Sequence, residues 1–248
     1  MGVMNKTDWL TPLRQDGIMI GPSADLLSPD QWEALQVEAT RVHGDRFAKL
    51  QADLESRDRR QAKGFLRQWL GRHPLYDGQS VWAEVARTLA TLATAYLEAP
   101  AMLRFYNLWE VRPTTAPPSR SQLWHHDVED VRIVKAFLYL SDVVPGAGPL
   151  IYAPGTHRGG AAAHEQPATF IEPGSGWRRA TDEAIAAMVP AITWRCAYGP
   201  IGTLVLADTA GWHKGGYATS MTRLTATWEW TTAQAIEGSR FHALGPQP

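Results

Sequence analysis

The sequence predicts a mainly β protein with a helical N-terminal third, and two changes of pattern along its 248 residues carry that reading. Up to about residue 101, apolar side chains recur at the three- and four-residue spacing of amphipathic helices. From residue 102, short alternating or wholly apolar runs are separated by Pro/Gly turns, as in an all-β sandwich. A third observation marks where this sandwich carries chemistry: Trp124-His125-His126-Asp127, then Trp212-His213, then Arg223.

The helical part opens with Ser28-Pro29-Asp30-Gln31, a capping-box pattern with Pro at the first helical position. Trp32, Leu35, Ala39 and Val42 follow at helical spacing, and Phe47, Leu50 and Leu54 continue the stripe. Gly44-Asp45 is expected to break or kink this helix. Residues 57–63 are dense in charge and read as a solvated helix end. A second helix is expected near Ser80, with Trp82, Val85, Leu89, Leu92 and Tyr96 on one face and Pro100 just beyond it.

The β part has strand candidates at residues 103–111, 121–127, 134–140, 150–153, 194–197, 203–206 and 224–230, with a turn at residues 145–149. Residues 158–197 interrupt the strand pattern, with Gly159-Gly160, a short helix near residues 181–188 and Pro190. So long a connection in a compact domain is usually functional, and it reads as a substrate cap. The organisation expected is one domain over residues 1–248: a helical flank (1–101) and a β core (102–235) carrying the cap (158–197).

Composition narrows the function. The 24 Lys+Arg nearly balance the 25 Asp+Glu, which argues against a sequence-independent nucleic-acid binder. The single cysteine, Cys196, forms neither an intramolecular disulfide nor a Cys-based metal site. Residues 1–20 lack a charged start with an apolar core and cleavage site, and no run reaches the ~18 apolar residues of a membrane span. A soluble, cytoplasmic protein without a membrane partner is the expectation. Eleven tryptophans, several beside the His/Asp residues, point to an apolar pocket around a polar centre.

Side chains two apart on a strand share a face, so His125 and Asp127 reach one point together. With His213 they make two imidazoles and one carboxylate, the ligand set of the facial triad that leaves open positions on non-heme Fe(II). Glu129, Asp130 and Asp208 are competing carboxylates; Asp127 has the closer spacing, and Asp208 is expected to brace the turn before His213 or the His213 ring. Arg223 and Thr225, two apart on another strand, offer a guanidinium fork and a hydroxyl for a remote carboxylate. His126 is expected on the opposite face and His157 as a loop brace. His164 in the cap stays open, and His43, His73 and His242 read as surface residues. Trp109, Trp124, Trp177 and Trp212 are candidates for stacking on a substrate, and Arg104, Arg158 and Lys214 for meeting an acidic group on it.

Residues 122–127 (QLWHHD), 134–143 (VKAFLYLSDV), 148–157 (GPLIYAPGTH), 202–216 (GTLVLADTAGWHKGG) and 223–225 occur in an order that resembles the phytanoyl-CoA dioxygenase family of Fe(II)/2-oxoglutarate oxygenases. The resemblance implies a double-stranded β-helix, or jelly roll, with iron on His125, Asp127 and His213 and the distal carboxylate of 2-oxoglutarate on Arg223. It places Gln122, Lys135 and Phe137 near the cosubstrate, with Phe137 where family members often carry Trp. It further implies O2 as oxidant and a small-molecule substrate, a natural-product intermediate among the candidates, oxidised by hydroxylation, desaturation or cyclisation. Retention of Asp127 disfavours halogenation. The rival readings are a metal-dependent jelly-roll enzyme that does not use 2-oxoglutarate and a non-catalytic carbohydrate-binding sandwich.

Overall fold

The computed structural model describes residues 6–55, 65–71 and 76–235. In chain order they form α1 (Lys6–Asp16), β1 (Ile18–Pro22), α2 (Pro29–Glu55), β2 (Leu66–Gln68), α3 (Val81–Leu97), β3 (Met102–Val111), β4 (Val134–Tyr139), β5 (Leu150–Tyr152), β6 (Thr169–Ile171), β7 (Arg178–Ala180), α4 (Asp182–Met188), β8 (Arg195–Cys196), β9 (Thr203–Asp208), β10 (His213–Gly215) and β11 (Arg223–Thr231). The charge-dense residues 57–63, His73 and His242 lie outside the described residues.

The predicted helix starts are present. Ser28 Oγ accepts from the Gln31 N–H at 3.2 Å while Gln31 Oε1 accepts from the Ser28 N–H at 3.1 Å, which closes the capping box of α2. Ser80 caps α3 through the Ala83 N–H at 3.3 Å. The predicted stripe of α3, Trp82, Val85, Leu89, Leu92 and Tyr96, is buried. Gly44 does not break α2, which runs through it. A mid-helix glycine costs about 1 kcal/mol relative to alanine, and burying Leu35, Ala39 and Val42 outweighs that.

The strands form a six-stranded antiparallel sheet in the order β1-β9-β4-β11-β3-β2, a three-stranded sheet β10-β5-β8 and the hairpin β6-β7. Two strands from the otherwise helical N-terminal third, β1 and β2, form the sheet's edges, a role that their short runs did not reveal. Alternation divides β11 between two faces. Ala226, Trp228 and Trp230 pack with α3 residues such as Trp82 and Leu89, while Arg223, Thr225 and Thr227 line a cavity on the other side. A second cluster, including Tyr139, Leu150, Tyr152 and Val205, joins the large sheet to β5.

Two segments differ from expectation. Residues 121–127 form no regular strand; they hold their extended path by isolated bridges, Trp124 to Ala180 and His125 to His213. Residues 158–197 hold the unexpected hairpin β6-β7 besides the expected helix α4 and the expected strand β8. The turn at residues 145–149 is a short 3-10 segment ended by Gly148 at φ 67°. A Cβ there would meet the Gly216 carbonyl oxygen at 2.4 Å, so only glycine fits.

Asp208, fully buried at the end of β9, ties helix layer to sheet: its Oδ2 accepts from the Tyr96 hydroxyl at 2.7 Å. Tyr96→Phe is expected to lower stability by about 1–3 kcal/mol, the cost of leaving a buried acceptor short of a donor. Urea denaturation with an unchanged m-value checks it.

Candidate metal centre

The site begins with a backbone contact. His125 N–H donates to the His213 carbonyl and His213 N–H to the His125 carbonyl, both at 2.9 Å, so two residues far apart in sequence face each other across an antiparallel bridge. Their ring centroids lie 4.3 Å apart. Each ring is oriented by the carbonyl two residues before it: Nδ1 of His125 lies 2.9 Å from Leu123 O, and Nδ1 of His213 lies 2.9 Å from Gly211 O. A carbonyl only accepts, so each Nδ1 carries the proton and each Nε2 keeps its lone pair. Asp127 is set by its own N–H donating to Thr209 O at 2.8 Å. Its Oδ2 lies 4.0 Å from His213 Nε2. Ligand atoms of His125, Asp127 and His213 all lie within 4.8 Å of one another, the one such group among the described residues.

Electrostatics favours a cation here. Burial pushes the His125 imidazole down to about 3 and lowers His213 as well, so both rings are neutral ligands at ordinary pH. Burial alone would raise the Asp127 carboxyl, but the charge and hydrogen bond of the Lys135 ammonium act against it and hold the group below the usual carboxylate range. Lys135 Nζ lies 2.5 Å from Asp127 Oδ2 and 2.8 Å from Oε2 of the fully buried Glu229.

The other carboxylates do not join the group. Asp208 Oδ1 accepts from the Ile133 and Ala210 N–H groups at 3.0 and 3.1 Å, which braces the turn toward His213 as the spacing predicts. Asp130 Oδ2 accepts from the Thr232 N–H and hydroxyl. Glu129 accepts from the Val128 N–H.

The three ligands open on a cavity of about 250 Å³. Its walls are largely apolar, with Phe105, Trp109, Phe137 and Leu150 among them, and Arg223 and Thr225 line it too. Arg223 Nη1 donates to the Gly148 carbonyl. Burial lowers its guanidinium from the ordinary value, yet a guanidinium stays charged. Among the described residues no carboxylate forms an ion pair with it. The Thr225 hydroxyl is buried without a hydrogen-bond partner. A half-buried guanidinium beside a buried, unpartnered hydroxyl has the chemistry to cradle a carboxylate.

Of the remaining candidates, Phe137 lines the cavity, whereas Gln122 does not. Gln122 Oε1 instead accepts from the Ser119 N–H at 3.2 Å. His126 is exposed with its ring edge-on to Trp212, and His157 Nε2 lies 3.0 Å from Arg14 O, a loop brace as expected. His164 is exposed. Trp109 reaches the cavity; Trp124 and Trp212 pack in a buried cluster, and Trp177 is exposed on the cap hairpin. Arg104 is buried and Arg158 exposed. The residue that sequence reasoning missed is Glu229, although its even spacing from Arg223 and Thr225 places it on the same face of β11.

The fold recurs in solved structures at low identity. The epimerase SnoN in complex with Fe3+, α-ketoglutarate and nogalamycin RO is 18% identical, over 95% of this chain and 86% of that one, with a TM-score of 0.56. HygX from Streptomyces hygroscopicus with nickel, 2-oxoglutarate and hygromycin B is 15% identical, over 92% and 87%, with a TM-score of 0.52. EctD from S. alaskensis with bound Fe is 18% identical, over 98% and 82%, with a TM-score of 0.55. No protein-family model and no curated protein matches the chain. No helix among the described residues is long and apolar enough to cross a membrane.

Lys135→Met is expected to cost about 3–5 kcal/mol of stability, because it removes the cation from a buried ion pair. Lys135→Met combined with Glu229→Met is expected to regain much of that. A double-mutant cycle by chemical denaturation checks both.

Proposed function

We propose that this chain is an Fe(II)/2-oxoglutarate-dependent dioxygenase of the phytanoyl-CoA dioxygenase type, a single domain with a jelly-roll core, that oxidises a small molecule. The observation carrying the reading is one cavity lined by two imidazoles with free Nε2 atoms, an ionised carboxylate, a guanidinium and an unpartnered hydroxyl. His125, Asp127 and His213 would hold the iron, a ligand set that leaves positions open. Structural neighbours that hold iron or nickel, two of them with 2-oxoglutarate or α-ketoglutarate, support the same reading. Iron with 2-oxoglutarate and O2 supplies the oxidising power, with succinate and carbon dioxide as by-products.

The chain's own residues bind, orient and exclude. Arg223 and Thr225 grip the far carboxylate of 2-oxoglutarate, a charge-assisted contact in a partly dry site. Lys135, held by Glu229, orients Asp127 and keeps it ionised. Phe105, Trp109, Phe137 and Leu150 keep water from the reacting centre. Phe137 and Lys135 line the cavity and are the wall residues to which the sequence resemblance gives a place near the cosubstrate. Residues 158–197 cap the substrate side. Hydroxylation is the simplest outcome, with desaturation and ring closure as variants of the same hydrogen abstraction.

His125→Ala and His213→Ala are expected to abolish iron-dependent succinate release while circular dichroism shows the fold intact. Arg223→Ala is expected to weaken 2-oxoglutarate binding by about 2–5 kcal/mol, as for loss of one partner of a buried charge pair, and to leave metal affinity near wild type. Anaerobic titration with Fe(II) and then 2-oxoglutarate measures both. Unchanged turnover together with unchanged 2-oxoglutarate affinity in Arg223→Ala would favour the metal enzyme that does not use this cosubstrate. Failure of wild-type protein to take up Fe(II) would establish the binding sandwich.

A further inference from the structure

Asp182, the first residue of α4 in the cap, touches neither the cavity nor the three ligands, yet it binds the neighbours of both histidines. Its Oδ1 accepts from the indole Nε1 of Trp124 at 2.6 Å and from the ammonium of Lys214 at 2.5 Å. Trp124 immediately precedes His125, and Lys214 immediately follows His213. Alternation puts these two side chains on the face away from the metal group. The Lys214 ammonium also lies over the rings of Trp124 and Trp194, 5.1 and 5.8 Å from their centroids, and the two indoles meet edge to face at 4.8 Å. Trp124 and Lys214 were sequence candidates for contacting substrate; the structure uses them here.

We propose that Asp182 is a positioning residue: it staples the two extended segments carrying His125 and His213, so that docking of the cap and spacing of the two imidazoles are one event. The inference rests on the metal reading of His125, Asp127 and His213. The backbone alone holds this junction weakly. His125 sits in an isolated bridge, β10 is three residues long, and two hydrogen bonds join them. A single oxygen spanning both flanking side chains fixes the twist that this bridge leaves free. The cap is anchored to match. Ala180 N–H donates to the Trp124 carbonyl at 3.0 Å, Thr181 caps α4 through the Ala184 N–H at 3.2 Å, and Ile185 packs with Trp124 and Trp212. The Asp182 side chain is 57% exposed, so its pair with Lys214 adds little to global stability and its removal leaves a folded protein.

Co2+ alone, titrated anaerobically into the full chain and followed by visible absorption and calorimetry, tests the proposal. Asp182→Ala is expected to weaken Co2+ binding severalfold, less than the ~10–100-fold that follows loss of a group bonded directly to a ligand, and to change the ligand-field spectrum. Asp182→Asn keeps an acceptor oxygen at the same place and is expected to restore the wild-type spectrum. Lys214→Met, which keeps the stem over the indoles, is expected to weaken binding in the same direction. By reciprocity, Co2+ should slow amide exchange in residues 182–188 of wild type and not of Asp182→Ala. Wild-type affinity and spectrum in both Asp182→Ala and Lys214→Met would overturn the proposal while leaving the metal site standing. A wild-type chain that binds no Co2+, or binds it equally well as His213→Ala, would overturn the metal site and the staple together.

Discussion

The antiparallel bridge between His125 and His213 is the constraint on which the rest of the site depends. A bridge fixes two backbones about 5 Å apart, and only such a fixed pair lets two imidazoles share one point. Each ring is then turned by a carbonyl of its own segment, Leu123 or Gly211, so orientation costs no side chain from elsewhere. The third ligand enters the same frame through Asp127 N–H and the Thr209 carbonyl. Main-chain bonds thus bring His125, Asp127 and His213 together, and the Asp182 contacts to Trp124 and Lys214 steady the short bridge on which they depend.

Electrostatics adds what geometry leaves out. A buried carboxylate is costly unless a cation or hydrogen bonds accompany it, and Lys135 accompanies Asp127. Lys135 would in turn be costly without Glu229 on the neighbouring strand, opposite it in register. Arg223 is different: among the described residues no carboxylate pairs with it, and its neighbour Thr225 has a hydroxyl without a partner. The Lys135 cation is therefore part of the framework, while Arg223, half-buried with a carbonyl contact to Gly148, is the one proposed to receive a guest. That contrast separates residues that build the site from residues that bind in it.

Much of this was legible in the sequence because it follows short periods. His-x-Asp, Arg-x-Thr and the stripe of α3 are statements about one strand or one helix, and alternation or helical spacing exposes them. What escaped involves pairing between distant segments. Edge strands β1 and β2 are too short to show alternation, and β1 acquires its strand from pairing with β9. Residues 121–127 read as a strand because their side chains alternate, yet only isolated bridges hold them. Gly44 read as a break because local propensity omits what the buried face of α2 contributes. Gln122 was placed by resemblance, and the local capping interaction with Ser119 accounts for its carbonyl instead. Lys214 and Trp124 looked like substrate contacts because nothing in sequence places Asp182 between them.

β11 shows why core and site are hard to separate in this fold. Its inward residues toward the helices, Trp228 and Trp230, are fully buried, and its alternate residues carry Arg223, Thr225 and Glu229 into the cavity side. The bulge at Glu229/Trp230, where register shifts against β3, lies beside the Lys135 contact. The extra residue is Arg104 of β3, since Glu229 pairs with Phe105 and Trp230 with Leu103, whereas β11 keeps unbroken register with β4 where Glu229 meets Lys135. Any substitution that slips β11 by one residue would exchange the two faces, sending indoles into the cavity and charges into the core. The packing of Trp228 and Trp230 against α3 therefore guards the register of Arg223, which ties the cavity on one face of the sheet to the hydrophobic core on the other.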